Sequence, residues 1–136
     1  MALLHGVIVM VAVVDAMRLA NLVARHVMRR VMIIGDMREL GEQAPHLHVQ
    51  AGRRVASRGV NVVIGVGELG RFAAVGGAEG GAEAHAFASV EEAAGQLPAL
   101  LQAGDVVLIK GSRAMAMERL IPAIGAAFGA PAKERP

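Results

Sequence analysis

Apolar runs alternate along this chain with stretches whose apolar positions recur at three- and four-residue intervals. Residues 7–14 (VIVMVAVV) read as a buried strand of the central, parallel kind, because Val and Ile dominate without polar alternation. A helix is predicted over 15–28, with Met17, Ala20, Ala24, Val27 and Met28 on one stripe. Residues 31–34 (VMII) form a short strand that stops at Gly35 and Asp36, and a polar loop runs on to Gln43. Residues 44–58 read as a helix with Leu47, Ala51 and Val55 on its apolar face and Gly59 as its C-terminal cap. A strand at 61–66 (NVVIGV) and a short helix at 68–75 follow. The stretch 76–83 (GGAEGGAE) reads as a mobile loop and 84–88 as a weak strand. Ser89, with Glu92 three residues on, opens a helix that runs to Leu101 with Val90, Ala93, Ala94, Leu97 and Leu101 inward; Pro98 is expected to split it. Residues 105–109 (DVVLI) are the clearest strand. A last helix is predicted from about Ser112, with Met117, Leu120, Ile121 and Ile124 on one side and a kink at Pro122. The tail, 129–136, reads as disordered.

Strands that alternate with helices predict an α/β fold: a Rossmann-like, mostly parallel sheet with helices on both faces. Ligands of such sheets bind beyond the carboxyl ends of the strands, where the strand order reverses. That singles out residues 15–17, 35–42, 65–70 and 110–113. With 136 residues the chain fits one domain. Cysteine is absent, which excludes disulfides, thiolate catalysis and Cys-based zinc sites. Tryptophan and tyrosine are absent and the net charge is only +2, so neither base stacking nor a polyanion is indicated, and no nucleic-acid partner is expected. Residues 1–14 lack a basic flank and fall short of the ~20 apolar residues of a membrane span. His46 and His48 face different sides of a helix, and His5, His26 and His85 are isolated, so no metal site is expected. Ser57, Ser89 and Ser112 have no nearby His–Asp pair, so no catalytic residue is assigned.

Three post-strand segments carry candidate chemistry. Gly65-Val66-Gly67-Glu68-Leu69-Gly70 matches the G-x-G-x-x-G dinucleotide pattern. The carboxylate that should follow the next strand is missing at Phe87-Ala88-Ser89, and a tight turn with close helix packing is the favoured account of the glycines. In Gly35-Asp36-Met37-Arg38-Glu39-Leu40-Gly41-Glu42, Asp36 leaves the strand at the ligand rim. It either orients a lysine or a hydrated cation, or joins Glu39 in bonding backbone amides of the loop. In Lys110-Gly111-Ser112-Arg113, a strand-end lysine, a glycine, a capping serine and an arginine fork make a plausible anion site at a helix N-terminus; a capped helix with two solvated cations is the plain alternative.

The series GDMRELGE (35–42), Leu47-His48, NVVIGVGELG (61–70), SVEEA (89–93) and GDVVLIKGSRAMAMERL (104–120) resembles the C-terminal domain of the Mur ligases over about residues 15–127. Within that family it looks most like the ligases that add D-alanyl-D-alanine to UDP-N-acetylmuramoyl-tripeptide in peptidoglycan precursor synthesis. The resemblance implies the third domain of a cytoplasmic, ATP- and magnesium-dependent amide ligase. Lys110, Gly111, Ser112 and Arg113 would lie at the incoming dipeptide. Asp36, Met37, Arg38 and Glu39 would face the nucleotide and the interdomain cleft. The family's polar Tyr-Asn-Ala-Asn-Pro turn corresponds to Met10–Val14 here, so residues 1–14 read as an apolar strand or altered edge, ahead of a ligase-like domain over 15–128. The N-terminal UDP-binding domain and the central ATPase domain, the partners implied, have no counterpart in these residues, and a detached domain inactive by itself is expected. Two alternatives stay open: a stand-alone nucleotide or small-molecule module using Gly65, Gly67 and Gly70, and a non-enzymatic interaction domain whose exposed first strand pairs with another chain.

Overall fold

The computed structural model describes residues 29–128 in full and the backbone of residues 6–12 and 132–135. Its strands are β1 (Gly6–Ala12), β2 (Arg30–Ile34), β3 (Val62–Val66), β4 (Glu83–Phe87), β5 (Val106–Ser112) and β6 (Ala132–Arg135). The helices are α1 (Ala44–Ser57), α2 (Gly67–Glu79), α3 (Val90–Leu100) and α4 (Leu120–Phe128). The sheet order is β4-β3-β2-β5-β1-β6. The four strands from β4 to β5 are parallel, and β1 and β6 complete the sheet in antiparallel pairings.

Alternation along the strands divides the core in two. Val31, Ile33, Ile64, Val107 and Ile109 point to one face, where α3 covers them with Val90, Ala93 and Leu97 and α4 with Leu120, Ile121 and Ile124. Ile34 and Val63 point to the other face, beneath Ala73 of α2 and Val55 of α1. The strand order turns back at β2: β3 and β4 lie on one side of it and β5 on the other.

The expectations need correction at several places. β1 is antiparallel to β5, not a central parallel strand. It is flanked by β5 and β6, so it is no open edge for another chain. Residues 132–135, expected in a disordered tail, pair with β1. The helix expected over 15–28 lies outside the described residues. Gly76 and Gly77 belong to α2 rather than to a loop. Their missing side chains let the helix approach its neighbours: a Cβ at Gly76 would overlap the Val49 carbonyl of α1, and one at Gly77 would meet Val63 at 2.6 Å. Gly52 of α1 answers in kind, since a Cβ there would overlap the Ala73 carbonyl of α2. The two helices therefore touch backbone to backbone.

Pro98 does not split α3. It lies near the helix end, and the Leu101 amide still bonds the Leu97 carbonyl at 2.9 Å. Pro122 sits in the first turn of α4, where an amide needs no helical partner, so no break follows. The serine cap of α3 is as expected: Ser89 Oγ accepts from the Glu92 amide at 3.1 Å, and Glu92 reaches back to the Ala88 amide at 2.8 Å. Below the sheet, Arg29 forks onto Asp105 (Nε–Oδ1 2.8 Å, Nη2–Oδ2 2.7 Å) and also donates to the Leu100 carbonyl at 2.9 Å, tying the start of β2 to the α3–β5 connection.

Candidate functional site at the carboxyl rim of the sheet

The parallel ladder between β2 and β5 runs on past both strand ends. The Gly35 amide donates to the Lys110 carbonyl at 2.7 Å, and the Ser112 amide donates to the Asp36 carbonyl at 2.9 Å. The turns after β2 and β5 thus emerge side by side on one rim, at the point where the strand order reverses, which is where open α/β sheets place their ligands.

Asp36 is only 7% exposed, and its carboxylate faces inward. Oδ1 accepts the amides of Leu69 and Gly70, both at 2.8 Å. These are orphan donors of the first turn of α2, at the positive end of its dipole, so a carboxylate from 33 residues upstream caps this helix. The glycine pattern 65–70 serves that contact. Gly67 has φ +98°, and a Cβ on it would sit 2.6 Å from Asp36 Oδ1. A Cβ on Gly65 would overlap the Gly70 carbonyl. A dinucleotide pyrophosphate would have to displace Asp36 from those amides, so the tight-turn reading of the glycines holds. Among the described residues Asp36 pairs with no lysine, and its carboxylate bonds the α2 amides rather than those of its own loop, which fastens the β2 turn to α2.

Two further bonds hold the same turn. The Met37 amide donates to His48 Nε2 at 2.9 Å, and His48 Nδ1 lies 2.6 Å from the Ala44 carbonyl. With Nε2 accepting, Nδ1 is placed to donate to that carbonyl. The Asp36 amide bonds Met115 Sδ at 2.8 Å. Sequence reasoning missed both partners. The buried positions of α1 are Ala44, His48 and Gly52, one residue over from the expected stripe, while Leu47 is 37% exposed. The small–polar–small spacing of Ala44, His48 and Gly52 is the signal that would have found His48. Beyond the pinned part of the turn, Arg38, Glu39 and Leu40 are exposed, and Glu39 holds a left-handed backbone at φ +68°.

The segment 110–113 differs from expectation. Ser112 ends β5 and caps nothing; two short 3₁₀ turns, 113–115 and 117–119, follow around a left-handed Ala116, and α4 begins only at Leu120. The helix N-terminal anion site at Ser112 is therefore absent, because the chain after β5 must first cross the rim beside Gly35. Side chains remain to bind an anion. Lys110 is half-buried, no carboxylate among the described residues pairs with it, and burial pulls its ammonium below the ordinary lysine value. Ser112 is 6% exposed and its Oγ has no hydrogen-bond partner among the described residues. Strand alternation puts Lys110 and Ser112 on the same face of β5, toward α1, whereas Arg113 is exposed beyond the strand. Gly111 is buried between Met117 and Gly35 and keeps the two turns close.

Among the described residues, no three His, Asp or Glu side chains come together in a way that could hold a metal ion. No described helix is long and apolar enough to cross a membrane.

Comparison with known proteins places the fold in a known family. Residues 9–113 match the family model of the Mur ligase glutamate ligase domain. The chain is 36% identical over 97 residues to the UDP-N-acetylmuramoyl-tripeptide–D-alanyl-D-alanine ligase of Escherichia coli strain K12, covering 70% of this chain and 21% of that one. It is 36% identical over 112 residues to the ligase of the same name from Treponema pallidum, covering 79% and 24%. A crystal structure of MurF from Acinetobacter baumannii superposes with a TM-score of 0.63 at 29% identity, over 80% of this chain and 25% of that one. MurF from Thermotoga maritima, solved with ADP, shares the fold at a TM-score of 0.57 and 23% identity, over 75% and 23%. The chain thus spans about a quarter or less of the length of these relatives. Its sheet order, its rim and these matches together make it a member of the Mur ligase C-terminal, glutamate ligase domain family.

Proposed function

We propose that this chain works as the third domain of a ligase that joins D-alanyl-D-alanine to UDP-N-acetylmuramoyl-tripeptide, and that it acts only together with a UDP-binding domain and a central ATPase domain. Support comes from one observation above all: the GDMRELG and KGSR segments, on which the sequence resemblance rests, are joined into a single rim by the Gly35–Lys110 and Asp36–Ser112 bonds. On this reading Lys110 and Arg113 attract the dipeptide carboxylate, Ser112 supplies a hydroxyl, and Gly111 lets the backbone come close. Met37, Arg38 and Glu39 face the neighbouring domain from a turn that Asp36 and His48 hold still. The domain's contribution is orientation: it fixes an amine beside an acyl group activated elsewhere, so that a bimolecular attack becomes a local one. On this reading ATP and magnesium are held by the central ATPase domain, with the turn after β2 facing that domain across the cleft.

Mixing the purified chain with the first two domains of such a ligase tests the proposal. Phosphate release that needs both the chain and D-alanyl-D-alanine is expected, and Lys110→Ala should lower it while leaving the circular dichroism unchanged. No release from a mixture in which both parts are folded would refute the proposal.

A further inference from the structure

A cavity of about 350 Å³ lies between α1 and the β2–β5 face of the sheet, running down from the rim. Its walls are apolar, with Met32 and Ile34 of the sheet facing Leu47, Ala51 and Val55 of α1. Three cations also line it. Lys110 stands at the rim end, and Arg54 and Arg58 stand where α1 finishes. None of the described lining residues is a carboxylate, and no ion pair among the described residues engages any of the three cations. An apolar chamber with a half-buried, unpaired ammonium and two basic side chains lacks an anion with a greasy body.

We propose that this cavity binds a small amphiphilic carboxylate, with its chain against Met32, Ile34 and Val55 and its headgroup at Lys110. The volume equals about a dozen water-sized groups, which suits an acyl chain of about eight carbons. The site shares Lys110 with the ligase reading but needs neither nucleotide nor another domain, so binding to the chain by itself tests it separately from ligase activity.

Octanoate is the probe. The chain carries eight methionines, and Met32 and Met37 line the cavity, whereas Met115 and Met117 pack toward the opposite face. With ¹³C-labelled methionine methyls, octanoate should move the Met32 and Met37 signals saturably, with a Kd of about 0.1–1 mM. Neutral 1-octanol should bind about tenfold more weakly. Ala51→Phe, which fills the chamber, and Lys110→Leu should each abolish or strongly weaken the shifts. Should Lys110→Leu fail to fold, Lys110→Gln, which keeps a polar head and removes the charge, carries the charge test. No shift up to about 10 mM, shifts shared equally by Met115 and Met117, octanol binding as tight as octanoate, or undiminished binding by Ala51→Phe would each overturn the proposal.

Discussion

Replacing Asp36 with alanine removes a side chain that joins the β2 turn to α2. The Leu69 and Gly70 amides would both lose an ionised acceptor at 2.8 Å, at a position where the native side chain is 7% exposed. Hydrogen bonds to a charged group contribute about 1.5–3 kcal/mol each, and the end of α2 lets some water replace the carboxylate, so a total loss of about 3–4 kcal/mol is expected. That is a large part of the 5–15 kcal/mol that holds a typical domain together, and it should lower Tm by about 10–15 °C. Asp36→Asn keeps the accepting oxygen and loses only the charge at the helix end, about 0.5–1 kcal/mol. The chain has no Trp or Tyr, so urea unfolding should be followed by circular dichroism rather than by intrinsic fluorescence. Amide exchange at Leu69 and Gly70 should accelerate in Asp36→Ala beyond that of the rest of α2. An alanine variant within about 0.5 kcal/mol of the native chain, or an asparagine variant as damaging as alanine, would refute the capping argument.

Gly76→Ala should cost about 2–3 kcal/mol in the same urea titration, because its methyl overlaps the Val49 carbonyl and neither helix backbone can retreat without disturbing the other. Asp105→Ala should cost about 3–5 kcal/mol by thermal melting, since it leaves the Arg29 guanidinium without its carboxylate, and Arg29→Lys, which keeps Asp105 but cannot make both bonds, should also destabilise the fold. Ser89→Ala should lose about 1 kcal/mol through the cap of α3, again read by urea unfolding. Burial lowers the folded-state pKa of Lys110, so the unfolded chain holds that proton more tightly. The native chain's stability relative to Lys110→Met should therefore be lowest at neutral and acid pH and rise as pH climbs through the folded-state value toward about 10.4. Parallel Tm curves for the two proteins from about pH 7 to about pH 10 would contradict this.

Much of the architecture follows from local pattern alone. Val and Ile runs at 31–34, 62–66 and 106–109 can be satisfied only by burial on both faces, and the 3.6-residue stripes between them require covering helices. A parallel sheet with a rim at Gly35 and Lys110 was therefore readable from residue order, as was the cap at Ser89, because each depends on neighbours a few positions away. Tertiary structure decided what each rim residue does. Asp36 finds its partners in α2, 33 residues further on, and His48 finds its own across a turn at Met37. Ser112 stays in β5 because the strand must reach past Gly35, which moves the next helix away from the rim. Gly76 and Gly77, which read as a loop by composition, are helical because only a residue without Cβ fits against Val49 and Val63. Periodicity records which side of an element is apolar. Which polar group meets which amide depends on distances that exist only once the sheet has closed.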